Sequence, residues 1–275
     1  MKQLKAKITE NRQVAPDFYK MRVESPYLAK ASMAGQFVEI RCSDGLDPLL
    51  RRPFGVHRIL PKGIEMLYEV VGKGTKILSF KKPGEMVDML GPLGNGFMLN
   101  PNRTAILIGG GIGVAPLPAL AEGLRKRGGK VHVIIGAKKS PHILCDKEFK
   151  SLGCSVSVAT EDGSKGKKGL VTDILKNFFT QYSILNAQYA IYACGPNGML
   201  KAIYDIARPK NIPCQFSFES HMACGVGVCL GCPVKVKPQT QYAPRSTHHA
   251  THNTQYEYKM VCKDGPVFNG EEIVW

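Results

Sequence analysis

Apolar and polar residues alternate in short runs through the first part of the chain, over 5–14, 18–24, 35–41, 53–59 and 64–71. Glycine, proline, aspartate and asparagine separate these runs at hairpin-like intervals, which predicts a small antiparallel β-barrel over 1–100. A short apolar helix is expected after Gly74, capped by Thr75. From Thr104 the period changes. Ala105, Ile106, Leu107 and Ile108 form a brief continuous apolar run, followed by glycines and then by Leu117, Leu120, Ala121 and Leu124 at helical spacing. The unit repeats: runs at 131–135, 156–159 and 190–193 precede helical stretches near 142–152, 171–179 and 199–207. Strands alternating with helices predict right-handed crossovers and a parallel sheet covered on both faces, here over 101–212. Past Pro213 the alternation stops and a Cys- and Gly-rich region, 213–275, begins. No Gly/Ser linker separates the three regions, so a β + α/β molecule packed as one body is expected.

A length of 275 residues exceeds one average domain, in keeping with that division. The net charge of +15 raises the question of nucleic acid. The basic residues are scattered, however, and their tightest groups, at 125–127 and 165–168, fall at expected helix ends and loops without interleaved aromatic platforms. They read as solvated surface that steers anionic nucleotides, and no nucleic-acid partner is expected. The longest uncharged run, 104–121, carries glycines, Pro116 and Pro118 and is explained as strand, turn and helix, so no membrane span is expected. The N-terminal residues show no apolar run of signal-peptide length, which predicts a cytoplasmic protein.

Nine cysteines, an odd count in a reducing compartment, point to metal ligation rather than disulfides. Cys42, Cys145, Cys154, Cys194 and Cys214 are dispersed; Cys224, Cys229, Cys232 and Cys262 are not. Their C-x4-C-x2-C spacing with a distant fourth cysteine is the plant-type [2Fe-2S] pattern. Gly225, Gly227 and Gly231 supply the backbone freedom that a loop wrapped round a cluster needs. A four-cysteine zinc site is the alternative on these residues, although paired C-x2-C knuckles are its commoner pattern and one such pair occurs here. The 233–261 stretch before Cys262 is longer than most structureless loops, yet its closure entropy does not exclude ligation. His248, His249 and His252 in that insert read as exposed loop residues, since four cysteines already complete a ligand set.

Two turns suggest a nucleotide. Gly109 to Pro116 follows a strand and opens a helix, where bare amides and the helix dipole can receive a pyrophosphate. Alone it could equally be a tight strand–helix connection. Cys194, Gly195 and Pro196 follow another strand and would lie at the carboxyl edge of the same sheet.

Taken with the cysteine cluster, these turns resemble the ferredoxin reductase superfamily. The segments at 49–53, 71–75, 90–97 and 219–232 together resemble the electron-transfer subunits of NAD-dependent dihydroorotate dehydrogenase B, over nearly the whole chain. The resemblance implies an antiparallel FAD-binding barrel, a Rossmann-like NAD domain and a small [2Fe-2S] region. It implies FAD contacts at Arg52, Pro53, Phe54 and Gly55, where Gly55 replaces the family's usual serine. Further FAD contacts are implied at Leu67, Tyr68, Glu69, Gly74 and Thr75. NAD(H) would contact Gly111, Gly113, Cys194, Gly195 and Pro196, and Glu161 and Asp162 would disfavour the 2′-phosphate of NADP. The implied partner is an FMN-containing catalytic subunit that oxidises dihydroorotate, in a heterotetramer with two of each chain. Subunits of other flavin iron–sulfur reductases, of the NAD(P)H:ferredoxin or sulfide-dehydrogenase type, share this plan, and a zinc-stabilised nucleotide-binding module is a non-enzymatic alternative.

Overall fold

The computed structural model describes residues 1–181, 188–238 and 256–275. The His248, His249 and His252 positions lie outside the described residues.

Seven antiparallel strands form the first sheet: β1 (Lys2–Ala15), β2 (Phe18–Glu24), β3 (Phe37–Ile40), β4 (Arg52–Gly55), β5 (Arg58–Leu60), β6 (Gly63–Glu69) and β7 (Met86–Leu93). Their order, β4-β3-β7-β1-β2-β6-β5, curls the sheet into a half-barrel around Ile8, Met21, Ile40, Met66 and Met89. Alternation places Ala6 and Ile8 of β1 inside while Lys5 and Lys7 face water. Two helices belong to this unit, α1 (Pro26–Ala31) and α2 (Lys73–Phe80). The Leu28 N–H donates to Ser25 Oγ at 3.3 Å and Pro26 occupies the first turn, which starts α1.

The pattern at 53–59 predicts one strand, but β4 and β5 are separate. Buried Val56 and His57 leave β4 and donate their N–H groups to Gln36 O (2.9 Å) and Glu65 O (2.8 Å). Thr75 is not the cap of α2 as its position after Gly74 suggests. Gly72 is the N-cap, and Thr75, inside the first turn, accepts from the Val71 (3.0 Å) and Gly72 (3.2 Å) N–H groups.

The second sheet runs β11-β10-β9-β8-β12-β13-β16. These are β8 (Thr104–Gly110), β9 (Val131–Ala137), β10 (Ser155–Thr160), β11 (Lys167–Lys168), β12 (Tyr189–Cys194), β13 (Cys214–Ser217) and β16 (Val267–Asn269). All neighbours are parallel except β13 and β16. Helices α3 (Leu117–Lys126), α4 (Asp146–Ser151), α5 (Val171–Gln181) and α6 (Asn197–Ala207) connect them. The sheet therefore continues past residue 212, where the alternation of strands and helices ends, because β13 and β16 pair without a crossover helix. The ends of the 233–261 insert also pair: β14 (Pro233–Val236) and β15 (Glu257–Met260) form an antiparallel ribbon.

One apolar cluster joins Phe37 and Leu93 of the barrel to Ile106, Ile191 and Phe216 of the second sheet and to Cys232 and Cys262. The three regions are thus one packed body. A charged seam reinforces the joint on another side. His57 Nδ1 lies 2.6 Å from the Ala115 carbonyl, to which it donates, and its Nε2 is 3.3 Å from Glu148 Oε2. Lys20 Nζ reaches the same Glu148 oxygen at 2.5 Å, and Arg58 pairs with both Glu122 and Glu148. Burial alone would raise the Glu148 carboxyl, but His57 and Lys20 outweigh it and hold it down at about 2.

A group depressed in the folded state stabilises the fold above its unfolded pKa, and that contribution disappears as pH falls through the folded value. Glu148→Gln is expected to cost roughly 2–3 kcal/mol at neutral pH, less than a fully buried pair because some solvent reaches the carboxylate. Denaturation midpoints of parent and variant should converge as pH drops from about 4.5 to about 2.

Candidate functional site

A cleft of about 440 Å³ is lined by all three parts of the chain. From the barrel come Arg52, Pro53, Phe54 and Gly55 of β4, then Leu67, Tyr68 and Glu69 of β6, and Thr75 of α2. The second sheet supplies Ile112, Ala115 and Pro116 after β8, and Cys194 at the carboxyl end of β12. Ser217 at the end of β13, residues 218–220, Met222 and Pro266 add the third wall.

On the barrel side, Arg52 Nη1 donates to the Leu50 (2.7 Å) and Arg51 (3.1 Å) carbonyls, which fixes the guanidinium beside the start of α2. A side chain on Gly74 would come within 3.2 Å of Arg52 Nε. A cation held against a helix N-terminus is a setting suited to phosphate oxygens. Tyr68 donates its hydroxyl to Asn11 Oδ1 at 3.1 Å and meets the Phe54 ring edge-on, with centroids 5.4 Å apart. It is therefore partly cleft wall and partly barrel core.

The two turns predicted to hold NAD(H) meet main chain to main chain. Cys194 of β12 pairs with Gly109 of β8. A Cβ on Gly113 would lie 2.4 Å from the Cys194 carbonyl oxygen and 2.6 Å from Gly195 Cα, so only glycine permits this approach. Pro196 precedes α6 and accepts from the Met199 N–H at 2.9 Å. Gly111 has open space beside it. Gly111, Gly113, Gly195 and Pro196 adjoin the cleft without lining it, whereas Cys194 faces into it. Asp162, after β10, is engaged by the Ser164 N–H (2.9 Å) and hydroxyl (2.6 Å).

The four clustered cysteines converge as free thiols. The Val226 and Cys229 N–H groups each donate to Cys224 Sγ at 3.4 Å. The Gly227 N–H donates to Cys262 Sγ at 3.1 Å, and the Cys262 N–H to Cys232 Sγ at 3.4 Å. Cys262 is far from the others in sequence, and the β14–β15 ribbon brings it back: Pro233 pairs with Met260, and the Val261 N–H donates to the Cys232 carbonyl at 2.9 Å. Burial would raise the Cys224 thiol, yet the backbone donors at Cys229 and Val226 pull it below the ordinary thiol range. Thiols brought together and supplied with N–H donors fit an iron–sulfur cluster, whose sulfurs accept such bonds. Only Cys229 is exposed.

Two acidic residues belong to this site although their pattern in sequence does not single them out. Glu219 lines the cleft; burial raises its carboxyl, and Glu69 adds to the effect. Glu39 of β3 is fully buried and neither carboxylate oxygen has a hydrogen-bond partner among the described residues. Burial pushes it up to about 7 against the pull of Arg51 and Arg52.

Residues 219–274 match the iron–sulfur cluster binding domain of dihydroorotate dehydrogenase B, and residues 107–205 match the oxidoreductase NAD-binding domain. The chain is 40% identical, over 98% of its length and 97% of the relative's, to a dihydroorotate dehydrogenase B (NAD(+)) electron transfer subunit from Desulforamulus reducens. The chain belongs to this electron transfer subunit family. A relative so described from Geobacillus is 37% identical over the whole chain. Among solved structures, an NADH-dependent reduced ferredoxin-NADP oxidoreductase superposes with a TM-score of 0.81 and 31% identity, covering 98% of this chain and 90% of that one. The ferredoxin reductase of carbazole 1,9a-dioxygenase, at 19% identity and TM-score 0.66 over 78% of this chain and 68% of that one, shares the fold. Family membership favours an iron–sulfur centre over zinc at the four thiols. No helix among the described residues is long and apolar enough to cross a membrane.

Gly113→Ala would force the two glycine-containing turns apart by the overlap of its Cβ with the Cys194 carbonyl. The KM for NADH in reduction of an artificial acceptor is expected to rise at least about tenfold, equivalent to ~1.4 kcal/mol, with bound flavin retained; steady-state kinetics on flavin-loaded protein check it.

Proposed function

We propose that the chain carries electrons between a partner's FMN, where dihydroorotate is oxidised to orotate for pyrimidine biosynthesis, and NAD+. In this reading residues 1–100 carry FAD, 101–212 bind NAD(H), and 213–275 hold a [2Fe-2S] cluster. The single observation that supports it most is the shared cleft, lined by all three regions, with the four thiols gathered in the third. Nicotinamide exchanges electrons as a hydride pair and an iron–sulfur cluster singly, and a flavin supplies the conversion between them.

The chain's own part is alignment and insulation. Arg52, Gly74 and Thr75 hold the FAD pyrophosphate, while Pro53, Phe54, Gly55, Leu67, Tyr68 and Glu69 frame its ring. Gly111, Gly113, Cys194, Gly195 and Pro196 present the nicotinamide to it. Glu161 and Asp162 select NAD over NADP, because acidic groups there repel a 2′-phosphate. Cys224, Cys229, Cys232 and Cys262 ligate the cluster through a spacing of the plant type. No residue of this chain is assigned to dihydroorotate oxidation, so a catalytic FMN subunit is required, in a cytoplasmic heterotetramer of two copies of each chain, without nucleic acid or membrane.

A second reading, a subunit of a reduced-ferredoxin-linked enzyme, is favoured by the 31% identical structure. Anaerobic copurification separates the two. The first requires an FMN protein in the complex, flavin and iron on this chain, and dihydroorotate-dependent reduction of NAD+; ferredoxin-dependent turnover without response to dihydroorotate would establish the second. Cys229→Ser in that complex is expected to lower iron content and dihydroorotate-linked turnover by more than about tenfold. NADH oxidation by an artificial acceptor should survive, since FAD and the nicotinamide turns are untouched; equal loss of both activities would contradict the proposed order of carriers.

A further inference from the structure

Gly55 at the end of β4 and Ile112, Ala115 and Pro116 after β8 all line the cleft, and a Cβ on Gly55 would lie 3.8 Å from the Pro116 Cβ. His57, two residues past Gly55 and fully buried, fastens these segments together at two points. Its Nδ1 donates to the Ala115 carbonyl at 2.6 Å, and its own carbonyl accepts from the Ala119 N–H at 3.0 Å. Ala115 and Ala119 stand at the spacing over which a helix joins carbonyl to N–H. Helix α3 begins at Leu117, so the Ala119 N–H is one that the first turn leaves without a partner in the helix. His57 takes up both halves of the bond that a longer helix would make with itself.

One contact would leave the turn free to swivel. Two, made by the side chain and the main chain of a single residue, fix distance and direction together. The Ala115 N–H donates in turn to the Ile112 carbonyl at 2.8 Å, and the His57 N–H to the Glu65 carbonyl at 2.8 Å, so both sides of the clamp are themselves held. The other ring nitrogen has a separate use. Nε2 lies 3.3 Å from Glu148 Oε2 and 3.6 Å from Glu65 Oε1, within the charged seam. The seam therefore engages one edge of the ring and the turn the other, and each contact can be removed without the other.

We propose that His57 is a positioning residue for hydride exchange: through its Nδ1–H and its carbonyl it holds the Gly109–Pro116 turn at the distance from β4 that the transfer requires. This inference rests on the assignment of FAD and NAD(H) to the cleft made above. The hydride leaves nicotinamide C4 with both electrons of its bond and joins flavin N5, so the nicotinamide is oxidised and the flavin reduced with no further reactant. Transfer depends on that gap more steeply than binding does, and a misplacement of about 1 Å can cost about a hundredfold in rate.

Two variants separate the roles, because the amide nitrogen of asparagine falls near the place of Nδ1 and that of glutamine near Nε2. In the anaerobic complex, bleaching of the flavin is followed by stopped flow over a range of NADH concentrations, together with the long-wavelength absorbance of the stacked nicotinamide–flavin pair and the flavin content. His57→Gln, which loses the Ala115 contact, should slow reduction at saturating NADH by about tenfold or more. It should also weaken the long-wavelength absorbance and leave the half-saturating concentration close to the parent's. His57→Asn, which keeps the Ala115 contact and gives up Glu148, should recover most of the rate while unfolding at a lower temperature. Glu148→Gln should be reduced at the parent's rate. The parent alone tests the underlying reading: flavin that is bound and bleached by NADH supports it, and a complex without flavin overturns it. With flavin in place, a parental rate in His57→Gln, an effect confined to half-saturation, or equal slowing in both His57 variants would each overturn the proposal. Slowing of His57→Asn by about tenfold does so by itself, so the test stands even where the glutamine variant does not fold.

Discussion

Close approach of bare glycine backbone, to main chain at Gly113 and to the Glu39 side chain at Gly225, is the constraint on which the site depends. The Gly109–Pro116 turn and the Cys194–Pro196 turn touch only because Gly113 has no side chain, and the cysteine loop settles on β3 only because Gly225 has none. Without those contacts the three regions could retain their separate folds and still fail to share one cleft. Proximity of this kind lets electron carriers exchange without diffusing, and a displacement of an ångström at either glycine would be felt by all of them.

Much of this was legible in the sequence because the signals were local. A period of two followed by strand–helix alternation separates the barrel from the parallel sheet, and the spacing of Cys224, Cys229 and Cys232 identifies a thiolate loop from nine consecutive residues. What escaped was set by partners distant in the chain. Strand β7 contains Gly91 and Pro92, which interrupt its alternation, and it becomes a strand by pairing with both β1 and β3. Strand β13 lacks a following helix, so its place beside β12 emerges only from register. Thr75 looks like a helix cap in sequence, yet the helix starts two residues before it. Glu39, between Val38 and Ile40, has the alternation of an outward-facing strand residue, and its burial comes from the cysteine loop laid over it.

The joint between barrel and sheet uses two kinds of interaction with different demands. The apolar cluster around Phe37, Leu93 and Phe216 is insensitive to pH and gives the body its cohesion. The seam of Lys20, His57, Arg58, Glu122 and Glu148 contributes direction, because hydrogen bonds to Ala115 and Glu148 are met in one orientation of the strand and not another. The Ala119 N–H also donates to the His57 carbonyl at 3.0 Å, so the residue two positions after Gly55 holds α3, the helix that follows the Gly109–Pro116 turn. The His57 side chain and its own backbone thus both tie the barrel to the segment that follows β8.

The ribbon of β14 and β15 separates two properties that a ligand loop usually mixes. Its four paired rungs, tied to the chain end by the Lys237 N–H to Glu272 carbonyl (2.7 Å) and the Val274 N–H to Lys235 carbonyl (3.1 Å), set the spacing of Cys232 and Cys262 before the intervening residues are reached. Loop-closure entropy grows only slowly with length. The separation of the two cysteines is therefore a property of the ribbon's pairing and not of the length of chain that joins its strands.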